Sequence, residues 1–133
     1  MKLLLDTHVL LWTLLDSPEL PSRARYLIED ANNDIYYSIV SLWEIQIKHM
    51  AHPKEMSIDA GEIERYCDES GFHHLPVRRV HVESLARLRE PEGIRHRDPF
   101  DRMLIAQALT DGMLLLTKDS RIAQYDEPCI FPL

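Results

Sequence analysis

Apolar positions along this chain fall into two textures: short unbroken runs closed by an acid, and longer stretches in which apolar residues recur at helical spacing. The first run, Leu3-Leu4-Leu5, ends at Asp6-Thr7 and is followed by Val9, Leu10, Trp12 and Leu14, which predicts strand, acidic corner, helix. Pro18 and Pro21 break that helix, and Ser22 is placed to cap a second one through about Ala31, with Ala24, Leu27 and Ile28 on one face. Asn32-Asn33-Asp34 marks a turn into a strand over residues 35–40. Ser41 then predicts the cap of a helix carrying Leu42, Trp43, Ile45 and Ile47, with Glu44 in its first turn.

The same reading continues to the end of the chain. His52-Pro53 stops the third helix, and Ser57 or Asp59 opens a more polar one running to about Asp68 and closed by Gly71. Residues 72–77 read as a third strand, and Val80 to Leu88 as a helix with Val82, Leu85 and Leu88 inward. After a loop with Pro91, Gly93 and basic residues, Asp98-Pro99 is an acidic cap with proline at the first helical position. That helix ends at Asp111-Gly112, Met113 to Leu116 suits a buried parallel strand, and Ile130-Phe131 supplies a last one.

Strand and helix alternate throughout. The expected fold is therefore α/β: a three-layer α/β/α sandwich around a central parallel sheet of four to five strands, as one domain over residues 1–133. In such a fold, a site forms beyond the carboxyl ends of the strands.

Composition narrows the function classes. Hydrophobic residues make up 45% and charged residues 28%, so a packed core is affordable and wholesale disorder is excluded. Cys67 and Cys129 match no metal-ligand spacing, which excludes a zinc ribbon and predicts reduced thiols. Three consecutive leucines near the N-terminus are too few for a membrane span or a secretory core, so a cytoplasmic location without membrane association is expected. The net charge of −7 repels nucleic acid at long range, so a polyanionic substrate would need a local basic patch or a metal ion.

The acids carry the chemistry. Asp6, Glu44, Asp98, Asp101 and Asp119 each fall at a strand end or a helix start, where carboxylates near a core are costly unless a cation gathers them. Singly, each has a plainer use as a cap or a complement to a helix N-terminus. Together they predict a pocket of hard oxygen donors with few histidines, suited to Mg2+ or Mn2+ rather than zinc.

Four blocks now carry a resemblance: Leu-Leu-Leu-Asp6-Thr7, Ser41-Leu42-Trp43-Glu44-Ile45, the string from His96 to Ala108 containing Asp98 and Asp101, and Leu116-Thr117-Lys118-Asp119. They resemble the PIN-domain family, and their order and spacing resemble the VapC-type toxins of bacterial toxin–antitoxin pairs. The resemblance spans essentially the whole chain. It implies a metal-dependent endoribonuclease, dimeric as a rule, held inactive by a partner antitoxin. Asp6, Glu44, Asp101 and Asp119 match the family's acidic positions. The implied roles are direct ligation by Asp6 and Asp101, ligation or water orientation by Glu44, and outer contact by Asp119. Asp98, three residues before Asp101, is a ligand, a supporting acid or only the helix cap.

Around this set, Thr7 and Thr117 offer hydroxyls to a metal-bound water or to the substrate phosphate, and Arg95, His96, Arg97, Arg102, Lys118 and Arg121 offer a basic rim; Arg97, Arg102 and Lys118 are the expected RNA contacts. Trp12, Trp43, Tyr36 and Tyr37 are assigned to core or dimer packing, and His73-His74 point to opposite faces of a strand. A partner helix or tail is expected among the helices near residues 7–31 and 42–66. The competing classes are a catalytically silent interaction module and a receiver-like magnesium-binding signalling domain. The latter needs a paired acidic cluster after the first strand, where Asp6 stands alone.

Overall fold

Strand β1 (Lys2–Leu5) lies in the middle of an all-parallel sheet ordered β3-β2-β1-β4-β5, where β2 is Asp34–Ser38, β3 His73–Leu75, β4 Leu114–Thr117 and β5 Ile130–Pro132. The structure is a computed structural model and describes residues 1–93 and 98–133. Its helices are α1 (Thr7–Leu14), α2 (Ser22–Glu29), α3 (Ile39–Ala51), α4 (Ala60–Glu69), α5 (Arg79–Ser84), α6 (Pro99–Asp111) and α7 (Ser120–Ala123); a 3-10 turn over Leu85–Arg87 prolongs α5. The expected α/β/α arrangement with a parallel sheet of four to five strands is thus present, with five.

Successive side chains of a strand face opposite ways, so the leucine run feeds two cores at once. Leu3 and Leu5 pack with Val9 and Leu10 of α1, Ile45 of α3 and Ile63 of α4 on one face. Leu4 packs on the other with Leu104, Ile105 and Ala108 of α6 and Ile122 of α7. All of these are fully or almost fully buried. At roughly 1.5–3 kcal/mol for each fully buried large aliphatic side chain, this double use of β1 ties both cores to one strand.

Two predicted elements differ in the structure. Ile39 and Val40 have strand composition, yet α3 begins at Ile39, because the Ser38 hydroxyl accepts the Val40 N–H at 3.0 Å and caps the helix directly at the end of β2. Ser41 is therefore a buried residue within α3 rather than its cap, and Glu44 lies in the second helical turn. In α5 the inward residues are His81 and Ser84, while Val82 is 51% exposed. The buried face of α5 is built on polar contacts: His81 Nδ1 accepts the Arg78 N–H at 2.9 Å, and its Nε2 lies 3.1 Å from Asp111 at the end of α6. An apolar-periodicity reading is blind to such a face. The αL conformation of Gly112, with φ of 66°, closes α6 and returns the chain into β4.

A polar anchor sets α6 against the strand ends. Ser38 Oγ donates to Gln107 Oε1 at 2.6 Å, and Gln107 Nε2 donates to the Pro76 carbonyl at 3.2 Å. Gln107 is fully buried, so Gln107→Leu strands two polar groups and should cost about 1–3 kcal/mol. A urea midpoint unchanged from the parent would refute this anchoring.

Candidate active site

The chain leaves β1 toward β2 and β3 on one side and reaches β4 and β5 on the other, so the strand order reverses between β1 and β4. In open α/β sheets the crevice at such a reversal, outside the carboxyl ends, is where ligands bind. Leu5 stands opposite Leu116 in the β1–β4 register, and the Asp6 N–H continues the ladder to the Leu116 carbonyl at 3.1 Å. Asp6, directly after β1, and Asp119, two residues after β4, are thereby brought to the same crevice.

Asp6 is buried and held from two sides. One oxygen caps α1 by accepting the Val9 N–H at 2.8 Å; the other accepts the Thr117 hydroxyl at 2.5 Å. Thr117 Oγ in turn accepts the Asp119 N–H at 3.0 Å, so this one buried hydroxyl spaces the two acids. Asp119 caps α7 through the Arg121 N–H at 2.8 Å and meets the Arg121 guanidinium at 3.0 Å. Asp98 is the cap of α6, its Oδ1 accepting the Phe100 and Asp101 N–H groups at 2.9 and 3.1 Å. Asp101 follows in the first turn of α6 and is largely buried.

Glu44 reaches the same place from α3. Only 8% of the residue is exposed; Oε2 pairs with Lys48 Nζ at 3.0 Å, and the buried Oε1 has no hydrogen-bond partner among the described residues. All five acids line one cavity of about 220 Å³ together with Thr7, His8, Lys48, Phe100 and Arg121.

Their crowding is visible in protonation. Burial, then the charges of Asp98, Asp119, Glu44 and Asp6, push the Asp101 carboxyl up from 3.8 to about 7. Burial also raises Asp6, opposed by its hydrogen bonds from Thr117 and Val9 and by the nearby His8, and reinforced by Asp119. Among the described residues, no three Asp, Glu, His or Cys side chains are already drawn together closely enough to hold an ion. The donor set nevertheless fits a hard divalent cation: it is all carboxylate oxygen, it includes an orphaned buried oxygen, and a cation would relieve the cost of ionising Asp101.

The family model for the PIN domain matches residues 3–128. The chain belongs to the PIN domain family. PIN domains are generally nucleases that use divalent metal ions. A receiver-like signalling domain is thereby excluded. The structure of this PIN domain is similar to the crystal structure of VapBC2 from Rickettsia felis bound to a DNA fragment from their promoter, with a TM-score of 0.70, 17% identity, and coverage of 100% of this chain and 98% of that one. At that identity the likeness concerns the fold. No curated protein matches the chain.

The expected substrate contacts have various places in this PIN domain. Thr7 is buried and donates to Ser41 Oγ at 3.0 Å, tying α1 to α3 at the cavity wall. Thr117 is committed to Asp6 and Asp119. Lys118 is exposed and is not among the cavity-lining residues. Arg102 lies along a separate apolar groove, pairing with Glu90 and donating to the Tyr125 hydroxyl at 3.1 Å. Arg95, His96 and Arg97 fall outside the described residues. Among the aromatics, Tyr37 is buried and Trp12 and Tyr36 partly so, but Trp43 is 61% exposed. It stands edge-on to Phe100 with ring centroids 5.0 Å apart. Sequence reasoning passed over Lys48, although its place four residues after Glu44 on a helix was a usable signal.

The raised acids give a sign to the pH dependence of stability. With a folded value near 7 against an ordinary 3.8, Asp101 favours the folded state fully below 3.8 and loses that contribution as pH rises through about 7. Without metal, Tm should therefore fall over that window, and Asp101→Asn should flatten the fall and melt higher than the parent above pH 7. Thermal melts in EDTA giving parallel pH curves for parent and variant would contradict the assignment.

No helix among the described residues is long and apolar enough to cross a membrane.

Proposed function

We propose that this PIN domain is a metal-dependent endoribonuclease and the toxin of a VapC-type toxin–antitoxin pair, acting in the cytoplasm on RNA phosphodiester bonds. The observation that carries the reading is the convergence of five carboxylates on one small crevice, with a Glu44 oxygen buried there and unpartnered among the described residues. Asp6, Glu44, Asp101 and Asp119 would hold Mg2+ or Mn2+. Such an ion supplies charge neutralisation, polarisation of the phosphoryl oxygen and a bound water of lowered pKa.

The chain's own groups perform the positioning. Asp6 is preorganised by Thr117 and by the α1 N-terminus, so its carboxylate has little freedom to lose. Asp98 fixes the first turn of α6 and adds negative charge beside Asp101. Arg121 at the cavity supplies a cation for RNA phosphates against the overall charge of −7; Arg97, outside the described residues, and Arg102 and Lys118, which do not line the cavity, remain candidate contacts on sequence grounds.

A catalytically silent PIN module is the second reading. It is favoured by the pairing of Glu44 with Lys48 and of Asp119 with Arg121, which neutralises two of the acids from within. Cleavage of a mixed cellular RNA pool decides between them. The nuclease should cut with Mg2+ or Mn2+ and not in EDTA, and Asp6→Asn with unchanged circular dichroism should lose roughly a hundredfold or more. No cutting with either ion, in a protein that also binds none by calorimetry, would leave the silent module.

Two associations complete the proposal. The groove lined by Ile39, Trp43, Val77, Phe100 and Met103, about 1130 Å³ in volume, is mainly apolar, with the Glu90–Arg102 pair also in its lining. An exposed apolar face of this kind, with its two charges paired within the chain, suits a twofold contact between copies, and we assign the homodimer to it. The antitoxin is assigned to the helices around residues 7–31 and 42–66, where a basic side chain can reach the acidic crevice. Sedimentation should give a dimer that Trp43→Glu dissociates, and adding the cognate antitoxin should suppress cleavage. A monomeric parent, or a bound antitoxin that leaves cleavage untouched, would remove the corresponding assignment.

A further inference from the structure

The geometry points to Lys48 as an internal counter-ion of the acidic crevice: its ammonium holds the Glu44 carboxylate in the metal-free protein and must release it for a divalent cation to enter, so that Lys48 sets the ion affinity. This rests on the reading that the crevice takes such an ion. Four observations support it.

Glu44 and Lys48 lie one turn apart on α3 with the acid N-terminal, the favourable order for a helical pair, and Nζ stands 3.0 Å from Oε2. The partners are unequal in their access to water: the Glu44 side chain is 11% exposed and that of Lys48 is 42% exposed. Lys48 can swing its charge into solvent on a flexible stem, whereas Glu44 cannot leave the crevice. Only one Glu44 oxygen is engaged, and the other is buried without a partner among the described residues, so the pair leaves the carboxylate half-satisfied. Finally, the acids line one cavity without standing in a ligating arrangement among the described residues, and Glu44 is one that is turned onto a cation of its own chain.

A lysine is well matched to this role. Its ammonium is a single mobile charge and is displaced more readily than a forked guanidinium. The grip of Arg121 on Asp119 differs in kind: it uses two guanidinium nitrogens, at 3.0 and 3.3 Å, and belongs to the cap of α7. Entry of a doubly charged ion beside Glu44 has either to break the ion pair or to bear the repulsion of an ammonium left in place. Removing the ammonium removes both.

The test is calorimetric titration of Mn2+ into the full chain and its Lys48→Met and Lys48→Arg variants, with thermal melts of each in EDTA and in Mn2+. Lys48→Met should bind Mn2+ about tenfold more tightly than the parent, and Lys48→Arg should return to the parent affinity or weaker. In EDTA the Met variant should melt below the parent, since Glu44 has lost its counter-charge; in Mn2+ it should gain more than the parent does. Mn2+ binding by Lys48→Met alone would equally support the role. Equal or weaker affinity in Lys48→Met would overturn it while leaving the metal site standing. Absence of binding in all three proteins would overturn it together with the metal site. Mn2+ affinities that shift as expected in a protein that cuts no RNA would sink the nuclease reading and leave Lys48 as the counter-ion.

Discussion

The side-by-side pairing of β1 with β4 is the constraint on which the rest of this structure depends. Leu5 and Leu116 stand opposite one another, and one step further the Asp6 N–H bonds to the Leu116 carbonyl while the Thr117 hydroxyl reaches the Asp6 carboxylate. A slip of one residue would send every leucine of β1 to the wrong core and part the two acids. The register is defended by apolar burial on both sides of the sheet, because Leu3 and Leu5 are buried in one core and Leu4 in the other. The hydrophobic core thus fixes where the charges meet.

The crevice is the part of the protein that resists folding. Carboxylates at the end of a buried sheet repel one another and lose hydration, and Asp101 records both in its raised pKa. Local compensation is built from the same residues: Asp6, Asp98 and Asp119 each cap a helix, so each satisfies backbone N–H groups while adding to the shared negative charge. Neutral hydrogen bonds away from the acids then hold the walls, Thr7 to Ser41 between α1 and α3 and Ser38 to Gln107 between β2 and α6. A site kept in tension by firm surroundings is a common exchange of stability for function.

Much of this was legible in the chain because apolar runs and their acidic stops report on the backbone directly. The leucine runs located β1 and β4, and Asp98-Pro99 with Asp111-Gly112 bounded α6 at both ends. Four of the acids were legible one by one, since Asp6, Asp98, Asp101 and Asp119 occupy strand ends or helix starts, whereas Glu44 reaches the shared cavity from the second turn of α3. What escaped notice depends on contacts distant in sequence or on polar faces. Ser38 displaced Ser41 as a cap because the sheet ended early; His81 and Ser84 took the inward face of α5 because Asp111 and Thr110 on α6 offered them partners. Trp43 sits at helical spacing with core residues, yet α3 turns it outward. The weight of Lys48 depends on the burial of its partner Glu44, which the sequence does not display.

Phe100 lines the acidic crevice on one side and the apolar groove on the other, its ring against Trp43 and its backbone N–H on Asp98. The two cavities therefore share a lining residue. Whatever seats in the groove and moves that ring also moves the edge of the crevice, and thermodynamic reciprocity requires the reverse to hold by the same factor. One phenylalanine thus gives an apolar surface and a charged one a shared boundary.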